Sequence, residues 1–529
     1  YALGLTAATG RPTVLISTSG TAGANFYPAI IEASKKKLPL IVITADRPPE
    51  LRFTGANQTI DQVKMFGDYV RFFFDMPCPN IDINPAMVLT TIDQLIYQAK
   101  SAVPGPVHLN CMFRDPLYNK KGPWNKGDYL ADIKQWQQSR DPFTIYMEKT
   151  PRLNRKDILN VAAQLNKTKN GLIVVGKLKN SDERNKILSV SKKLNWPIFP
   201  DITSGLRTAN ENTNTIHHFD QILQNEILKE DLINNSRIET VLHAGGRMTS
   251  KRYYQFMEKL KPARYITVLN HSLRNDPLHG VTVRVESPVD VFCEQILPHI
   301  KIKKENNLMA KLKKWSRKID AIIQNYLDDQ QGLSEMVTAR LISQMIPKGS
   351  GLFLGNSLPI RNMDMFADAK GNNVIIGGNR GASGIDGTIA SGLGFAKGLN
   401  KHCTTFSGDL AFLHDVNSLG IADSHDRGHI LIVINNDGGG IFSLLPIAGY
   451  KKHFTEYFTA PHGHSFSHAA AMFGWEYENV NEKKSFTKTY KMALKSKSKI
   501  VIEINTKKED NVKNQKQIES LICARIKRS

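Results

Sequence analysis

Short apolar runs of strand length alternate with helical stretches along most of the chain. In the first third, runs at 13–18 and 38–44 flank a small-residue stretch, 20–33, that is typical of a helix. Near-continuous apolar strands joined by helices predict parallel sheets that are covered on both faces. The same kind of run recurs at 172–175, 241–244, 265–268, 352–354, 374–376, 402–407, 430–434 and 500–504. We therefore predict an α/β protein with three consecutive doubly wound parallel-sheet domains.

The length of 529 residues is too great for one core and fits about three domains. We place them at residues 1–120, 121–330 and 331–529. A Pro- and Trp-bearing stretch, 118–152, is predicted to be a linker with a docking helix. Residues 301–328 are predicted to form a charged helical connector, and residues 507–529 a surface helix.

Asp409 and Asn436 follow two of the predicted strands and lie 27 residues apart, which one βαβ crossover can span. Both side chains would then lie at the carboxyl ends of neighbouring parallel strands. A carboxylate, an amide oxygen and the backbone carbonyl of Gly438 are hard donors that suit Mg²⁺, with Mn²⁺ as an alternative ion. The same residues also fit two unrelated turns, because Asp, Asn and Gly favour turns.

A glycine-rich loop, 377–387, follows a predicted strand and precedes a small-residue helix, 388–397. Its glycines allow the backbone to approach a ligand closely. It lacks the Gly-Lys-Ser/Thr of a P-loop. Farther on, Gly392 and Gly394 start a dinucleotide-like pattern, but Lys397 stands where its third glycine belongs, so we predict a tightly packed helix and no NAD site.

Basic residues stand at turns after predicted strands: Arg47, Lys251 with Arg252, Arg361 and Arg380. Singly, each fits a surface ion pair better than a ligand contact. Together they indicate a cleft for substrate carboxylates, which arginine binds with two parallel hydrogen bonds.

The net charge of +21 raises nucleic acid as a partner, but the lysines are dispersed and no nucleic-acid motif is present, so we predict no nucleic-acid binding. The five scattered cysteines lack any C-x-x-C spacing and predict a reduced, cytoplasmic protein without structural zinc. No apolar run approaches the roughly 20 residues of a membrane helix, so we expect no membrane insertion.

With the metal motif, the glycine-rich loop and Asp46-Arg47-Pro48-Pro49-Glu50 in view, the sequence resembles the thiamine-diphosphate-dependent enzymes. Within them it is similar to the MenD-type synthases of menaquinone biosynthesis over nearly its whole length. The most specific stretches are 44–51 with 55–58, 355–358, 379–387, 408–417 and 435–445. The resemblance implies three α/β domains. The first binds the cofactor's pyrimidine, the second is a central domain, and the third binds the cofactor's diphosphate.

The resemblance also assigns roles to individual residues. It implies that Asp409, Asn436 and the Gly438 carbonyl hold the metal on the diphosphate. Further cofactor contacts are implied for Ser383, Ile385, Leu410, Ile441 and Phe442. Substrate contacts are implied for Ser357, Arg361 and Arg380, and, toward isochorismate, for Arg47, Asn57, Gln58, Lys251 and Arg252. Gln58, Arg361 and Arg380 are expected to take part in catalysis.

The activity implied is the decarboxylation of 2-oxoglutarate and the addition of the resulting succinyl unit to isochorismate, in a homodimer or a dimer of dimers. The alternatives are another thiamine-dependent 2-oxo acid decarboxylase, an acetolactate-type synthase, or a non-catalytic remnant. The cofactor-activating Glu and a substrate-binding Arg are expected before Tyr1, so the chain as it stands is expected to be nearly inactive in deprotonating the cofactor.

Overall fold

The computed structural model describes residues 1–101, 103–117, 126–139, 141–209, 214–304, 306–424 and 428–526. Three sheets lie in succession along these residues, and every strand pair within them is parallel. The predicted α/β class with three parallel-sheet units is therefore confirmed. The predicted boundary at residue 120 and the start of the predicted linker lie outside the described residues.

The first unit contains a four-stranded sheet in the order β1-β2-β4-β3. Its strands are β1 (Thr13–Ser17), β2 (Leu40–Asp46), β3 (Phe73–Met76) and β4 (Val107–Met112). Its helices are α1 (Ala2–Thr9), α2 (Thr21–Ala24), α3 (Tyr27–Lys36) and α4 (Pro85–Lys100), followed by the short α5 (Lys126–Tyr129) and α6 (Lys134–Gln137). The single helix predicted over 20–33 was wrong: the chain forms α2 and α3 there, and Pro28 lies in the first turn of α3, where its missing N–H costs no hydrogen bond.

The middle unit contains a five-stranded sheet in the order β6-β5-β7-β8-β9. Its strands are β5 (Gly171–Val175), β6 (Ile198–Pro200), β7 (Thr240–Ala244), β8 (Arg264–Leu269) and β9 (Val283–Glu286). Its helices are α7 (Arg155–Lys167), α8 (Ser181–Leu194), α9 (Phe219–Gln224), α10 (Glu226–Glu230), α11 (Lys251–Leu260) and α12 (Val289–Ile296). The edge strands β6 and β9 are additions to the sequence-based prediction.

The third unit contains a six-stranded sheet in the order β11-β10-β12-β13-β15-β14. Its strands are β10 (Gly351–Leu354), β11 (Ile375–Gly377), β12 (Cys403–Gly408), β13 (His429–Asn435), β14 (Glu476–Asn479) and β15 (Lys499–Asn505). Helix α13 (Asn307–Asp329), in the region of the predicted connector, packs into the hydrophobic core of the middle unit. The helices of the third unit are α14 (Glu335–Met345), α15 (Leu358–Phe366), α16 (Thr388–Leu399), α17 (Asp409–His414), α18 (Lys451–Phe454), α19 (Ser467–Met472), α20 (Lys483–Lys495) and α21 (Lys508–Ile526). The central β13 is buried along its whole length, as its run of branched apolar residues predicts.

Helix α1 of the first unit packs closely on α16 of the third. A Cβ on Gly4 would lie 1.8 Å from the carbonyl oxygen of Ser391, and one on Gly394 would lie 2.0 Å from that of Tyr1. The small residues predicted to make a tightly packed helix therefore bring two helix backbones together, and this contact couples the first unit to the third.

The middle and third units are joined by Arg207, whose side chain is fully buried. Its Nε donates to the carbonyl of Asp364 at 2.9 Å and its Nη2 to that of Ala367 at 2.9 Å. Burial lowers its pKa to about 10, so the guanidinium remains charged at neutral pH. In the described part of the chain, no helix is long and apolar enough to cross a membrane.

Candidate cofactor and metal site

Asp409 and Asn436 meet at the carboxyl ends of β12 and β13, which are neighbours in the sheet. Asp409 begins α17, and its Oδ2 accepts the backbone N–H of Asn436 at 3.1 Å and that of Gly438 at 2.8 Å. Its Oδ1 accepts the N–H of Leu410 at 2.7 Å. The structure thus brings together the three residues that the sequence proposed as metal ligands, with the carboxylate held by backbone amides.

The side chain of Asn436 is oriented by a hydrogen bond to Glu335. Its Nδ2 donates to Glu335 Oε1 at 2.9 Å, while Asn362 donates to Glu335 Oε2 at 2.9 Å. Burial raises the pKa of Glu335 to about 7, which the two amide hydrogen bonds oppose and the nearby Asp409 reinforces. Asn436 Oδ1 is buried and has no hydrogen-bond partner among the described residues. A buried oxygen without a partner is costly, so this atom is suited to a ligand from outside the chain.

Gly438 is a position that only glycine suits. Its φ is 118°, and a Cβ there would lie 1.8 Å from the carbonyl oxygen of Thr459. Its own carbonyl accepts the N–H of Gly440 at 2.8 Å, which leaves a second lone pair for a cation. Asp437, between the two proposed ligands, accepts the N–H groups of His462 and Gly463 and pins the turn to a second loop.

These donors have the chemistry of a magnesium site that is completed by a diphosphate. The described residues contain no group of three or more His, Cys, Asp or Glu side chains placed to hold a metal by themselves. One carboxylate, one amide oxygen and one carbonyl leave several positions of an octahedral ion for phosphate oxygens and water. The residues present therefore fit Mg²⁺ bound together with a phosphorylated cofactor.

The glycine-rich loop follows β11 and is held by Asn356 at the end of β10. Asn356 donates to the carbonyls of Asn379 and Gly384 at 2.7 Å each, and its Oδ1 accepts Nη1 of Arg380 at 2.9 Å. Ser383 lies in this loop with a φ of 65°. The side chain of Ile385 is 37% exposed at the loop's surface, which leaves its apolar face available to a ligand.

Arg380 lies in this loop, and Arg361 lies on α15, close enough for its charge to act on Arg380. Arg361 Nη1 donates to the carbonyl of Ser357 at 2.6 Å. Burial lowers the pKa of both arginines, and the charges of Arg247 and Arg361 lower that of Arg380 further, against the opposing effect of Asp201. Partly dehydrated guanidinium groups of like charge gain from an added carboxylate, so this cluster can bind an anionic substrate.

The remaining proposed cofactor contacts lie close to the metal ligands along the chain. Leu410 follows Asp409 in α17, and Ile441 and Phe442 lie in a 3₁₀ turn, Gly440–Leu444, just beyond Gly438. All three side chains are partly buried, and the ring of Phe442 packs edge-on to Phe458 at 5.9 Å. They form an apolar rim next to the polar donors.

The other predicted substrate ligands lie elsewhere in the chain. Arg47 follows β2 in the first unit, and its Nε donates to the carbonyl of Asn57 at 3.3 Å, next to Gln58 with a φ of 55°. Lys251 and Arg252 begin α11 in the middle unit. Arg252 forms an ion pair with Asp220, so its guanidinium already has an acidic partner. Among the described residues, no hydrogen bond joins these five side chains to the donors around Asp409.

Sequence reasoning missed the residues that orient the site. Glu335 lies 101 residues from Asn436, and no local pattern links the two. Glu32 and Arg247 contact the glycine-rich loop from other units. A signal was present only for Glu32, as an acidic residue inside the apolar helix α3, where it is 5% exposed.

Family models for thiamine pyrophosphate enzymes match all three units. The N-terminal TPP binding domain matches residues 1–65, the "middle domain of thiamine pyrophosphate" matches 127–354, and the C-terminal TPP binding domain matches 362–504. The first covers Arg47, Asn57 and Gln58, and the last covers the glycine-rich loop and all three proposed metal ligands.

Curated relatives match over the whole chain. A 2-succinyl-5-enolpyruvyl-6-hydroxy-3-cyclohexene-1-carboxylate synthase from Prosthecochloris aestuarii is 36% identical, over 100% of this chain and 89% of the relative. The chain belongs to this synthase family. Synthases of the same name from Rubrobacter xylanophilus (37% identical, 97% of this chain, 87% of the relative) and Salinibacter ruber (36%, 100% and 88%) agree. The resemblance to thiamine-diphosphate-dependent enzymes is thereby confirmed, and the chain is an enzyme of that class.

Proposed function

We propose that this member of the synthase family makes 2-succinyl-5-enolpyruvyl-6-hydroxy-3-cyclohexene-1-carboxylate in menaquinone biosynthesis. The substrates would be 2-oxoglutarate, which loses CO₂, and isochorismate, which receives the succinyl unit. The observation that carries the proposal is similarity along the whole chain to synthases of this name. It is supported by basic groups in all three units that suit two substrates with several carboxylates.

The cofactor site would be anchored by Asp409, Asn436 and the carbonyl of Gly438, which bind Mg²⁺ or Mn²⁺ against the diphosphate of thiamine diphosphate. The partnerless Oδ1 of Asn436 supports this assignment. Ser383 lies beside the diphosphate in the proposal. Ile385, Leu410, Ile441 and Phe442 supply apolar contacts to the rest of the cofactor.

When bound, thiamine diphosphate supplies an electron sink for the decarboxylation of a 2-oxo acid. The chain's own contribution is orientation and charge. Arg361, Arg380 and Ser357 would fix the carboxylates of 2-oxoglutarate, and the apolar rim would exclude water around the carboxylate that leaves. Arg47, Asn57, Gln58 and Lys251 would hold isochorismate, with Arg252 exchanging or sharing its Asp220 partner.

We also infer that the site is completed between two subunits of a homodimer. The support is that, in the part of the chain that the structure describes, Arg47, Asn57 and Gln58 form no hydrogen bond to the donors around Asp409. The test mixes two inactive variants, Gln58→Ala and Asp409→Ala, under conditions of subunit exchange. Shared sites restore about a quarter of the activity, because half of the dimers are mixed and each has one intact site. No recovery despite verified exchange would overturn the shared site.

The activity itself is tested with the whole protein encoded by the gene, supplied with thiamine diphosphate and Mg²⁺. We expect isochorismate to be consumed only when 2-oxoglutarate is present, with one CO₂ released per ring substrate lost. A parallel reaction replaces 2-oxoglutarate by pyruvate. No loss of isochorismate would overturn the proposal, and equal turnover of pyruvate without isochorismate would favour a decarboxylase or an acetolactate-type synthase.

A further inference from the structure

Three consecutive backbone amides of the glycine-rich loop point at one carboxylate from a different unit. Glu32 on α3 accepts the N–H of Gly381 at 2.7 Å, that of Ala382 at 2.7 Å and that of Ser383 at 3.3 Å. Successive amides that converge in this way form a concave anion site. Here the anion is supplied by the protein itself, from about 350 residues away in sequence.

The same loop is also held from the middle unit. Arg247 Nη2 donates to the carbonyl of Arg380 at 2.6 Å, to that of Gly381 at 3.2 Å and to Oγ of Ser383 at 2.7 Å. Glu32 therefore accepts three N–H groups of the loop, and Arg247 donates to two of its carbonyls and one hydroxyl, so that donors and acceptors within residues 380–383 are both bound from other units.

We propose that Glu32 and Arg247 are positioning residues that set the shape of the loop 380–383 before cofactor and substrate bind. Neither residue touches the reacting atoms in this proposal. They act through Arg380, whose side chain is assigned to 2-oxoglutarate, and through Ser383, which is assigned to the diphosphate region. The inference rests on the proposed function for these two roles, whereas the loop contacts themselves do not depend on it.

The packing around Glu32 indicates that this contact is specific. A Cβ on Gly381 would lie 2.6 Å from the Glu32 carbonyl oxygen and 3.0 Å from its Oε2, so glycine is required for the close approach. The carboxylate also lies among cations: its charge opposes the lowering of the pKa of Lys36, which burial and Lys177 bring to about 7. A buried carboxylate with three amide donors and cationic neighbours is well compensated.

Loss of Glu32 would leave three amides without an acceptor and remove one of the two restraints on the loop. Hydrogen bonds to a charged group typically contribute about 1.5–3 kcal/mol, or roughly 10- to 100-fold in an equilibrium. The loop would then occupy several shapes, and only the fraction with Arg380 and Ser383 correctly placed would bind ligands.

The first experiment measures amide hydrogen exchange in the cofactor-free protein, and so is independent of activity. We expect Glu32→Ala to speed exchange at the amides of Gly381, Ala382 and Ser383 by at least about tenfold, with little change elsewhere. The control is Glu148→Gln, which removes an ion pair with Lys100 whose two side chains are both exposed. Unchanged exchange at these three amides would overturn the contact, whatever the enzyme turns out to catalyse.

The second experiment measures the dissociation constant of thiamine diphosphate with Mg²⁺ by calorimetry, and KM for each substrate. Arg247 is exposed, so Arg247→Met should leave the fold intact. We expect it to weaken cofactor binding and raise KM for 2-oxoglutarate by roughly tenfold, with KM for isochorismate changed less than about twofold and with Arg247→Lys partly restoring both.

An Arg247→Met protein with wild-type cofactor affinity and wild-type KM for 2-oxoglutarate would overturn the positioning role. Combining it with Glu32→Ala should give an effect that differs from the sum of the single effects, because both residues act on one loop. If wild-type protein binds thiamine diphosphate but consumes no isochorismate, the proposed function fails while the exchange and affinity measurements still judge this inference.

Discussion

The main structural support for a metal site is a single atom, Oδ1 of Asn436, which is buried without a hydrogen-bond partner among the described residues. The side chain is 7% exposed, and Glu335 fixes which way it points by accepting Nδ2 at 2.9 Å. Glu335 is 1% exposed and accepts two amide donors, so the pair works as one unit. Asn436, the proposed ligand, follows β13, whereas Glu335, which orients its side chain, belongs to α14.

Replacing Asn436 by alanine tests the metal assignment. We expect Asn436→Ala to raise the dissociation constant of thiamine diphosphate in Mg²⁺ by at least about tenfold, since one charge-assisted ligand is lost. Titration calorimetry with Mg²⁺ and with EDTA measures this effect. Asn185→Ala, at an exposed position on α8, serves as the control, and equal metal-dependent affinity in Asn436→Ala would contradict the assignment.

Arg380 gives a second prediction at this scale. Removal of its partly buried guanidinium in Arg380→Ala should lower kcat/KM for 2-oxoglutarate by about two orders of magnitude, because an Arg–carboxylate contact is lost where water is scarce. Steady-state kinetics at saturating isochorismate provide the measurement. The exposed Arg114, paired with Glu50, is a control position, and an unaltered kcat/KM in Arg380→Ala would refute the role.

At the scale of elements, the contact between α1 and α16 shows how glycine allows two units to meet. Gly4 and Ala8 on α1 face Gly394 and Gly398 on α16, and a Cβ on Gly398 would lie 2.6 Å from that of Ala8. Residues four apart share one side of a helix, so each helix presents a small surface to the other. The glycine-rich loop directly precedes α16 in the chain, and the proposed metal ligands follow it within the same unit.

Gly394→Ala should wedge the two helices apart. Alanine favours an isolated helix by about 1 kcal/mol over glycine, but overpacking a tight contact costs about 1–3 kcal/mol or more, and steric overlap at 2.0 Å decides the sign. We therefore expect a lower midpoint in urea or thermal unfolding. Gly449→Ala, where no atom lies within 4 Å of the added Cβ, is the matched control, and a wild-type midpoint for Gly394→Ala would contradict the packing argument.

At the scale of the whole molecule, several histidines are buried in their neutral form. Burial lowers the pKa of His108 to about 4, of His217 to about 3 and of His243 to about 4. His243 is held between the hydroxyl of Tyr265 at 3.0 Å and the carbonyl of Gly246 at 2.8 Å. The unfolded chain, with histidine pKa values near 6.5, binds more protons at pH 5 than the folded protein.

The free energy of unfolding should therefore fall as the pH decreases from about 6.5 toward 4, and the histidine contribution should be complete above pH 6.5. We expect urea midpoints to decrease across this range. His243→Gln should show a smaller decrease than wild type, by up to about 2 kcal/mol in unfolding free energy between pH 7 and 4.5, whereas His453→Gln at an exposed position should match wild type. An equal pH dependence in all three proteins would contradict the assignment.

Several features could be predicted from sequence because they depend on neighbours along the chain. The strands that carry Asp409 and Asn436 are apolar runs with period and length typical of a parallel sheet, and β12 and β13 do lie side by side. The edge strands β3, β6, β9 and β14 were missed, since short edge strands carry a weaker apolar signal. The internal strand β4 was also missed, because the buried polar residues His108 and Asn110 interrupt its apolar run. The predicted helix over 20–33 failed because local propensity does not show where packing interrupts a helix.

The amino-acid sequence by itself determined the α/β class, the succession of three sheets and the residues that suit a metal and a diphosphate. Each of these follows from periodicity or from the donor chemistry of residues near one another in the chain. Only the tertiary structure decided that Glu335 orients the side chain of Asn436 and that Arg252 forms an ion pair with Asp220. It also decided that Glu32 and Arg247 form hydrogen bonds to residues 380–383. These contacts join residues tens to hundreds of positions apart, and their geometry arises only when whole units pack together.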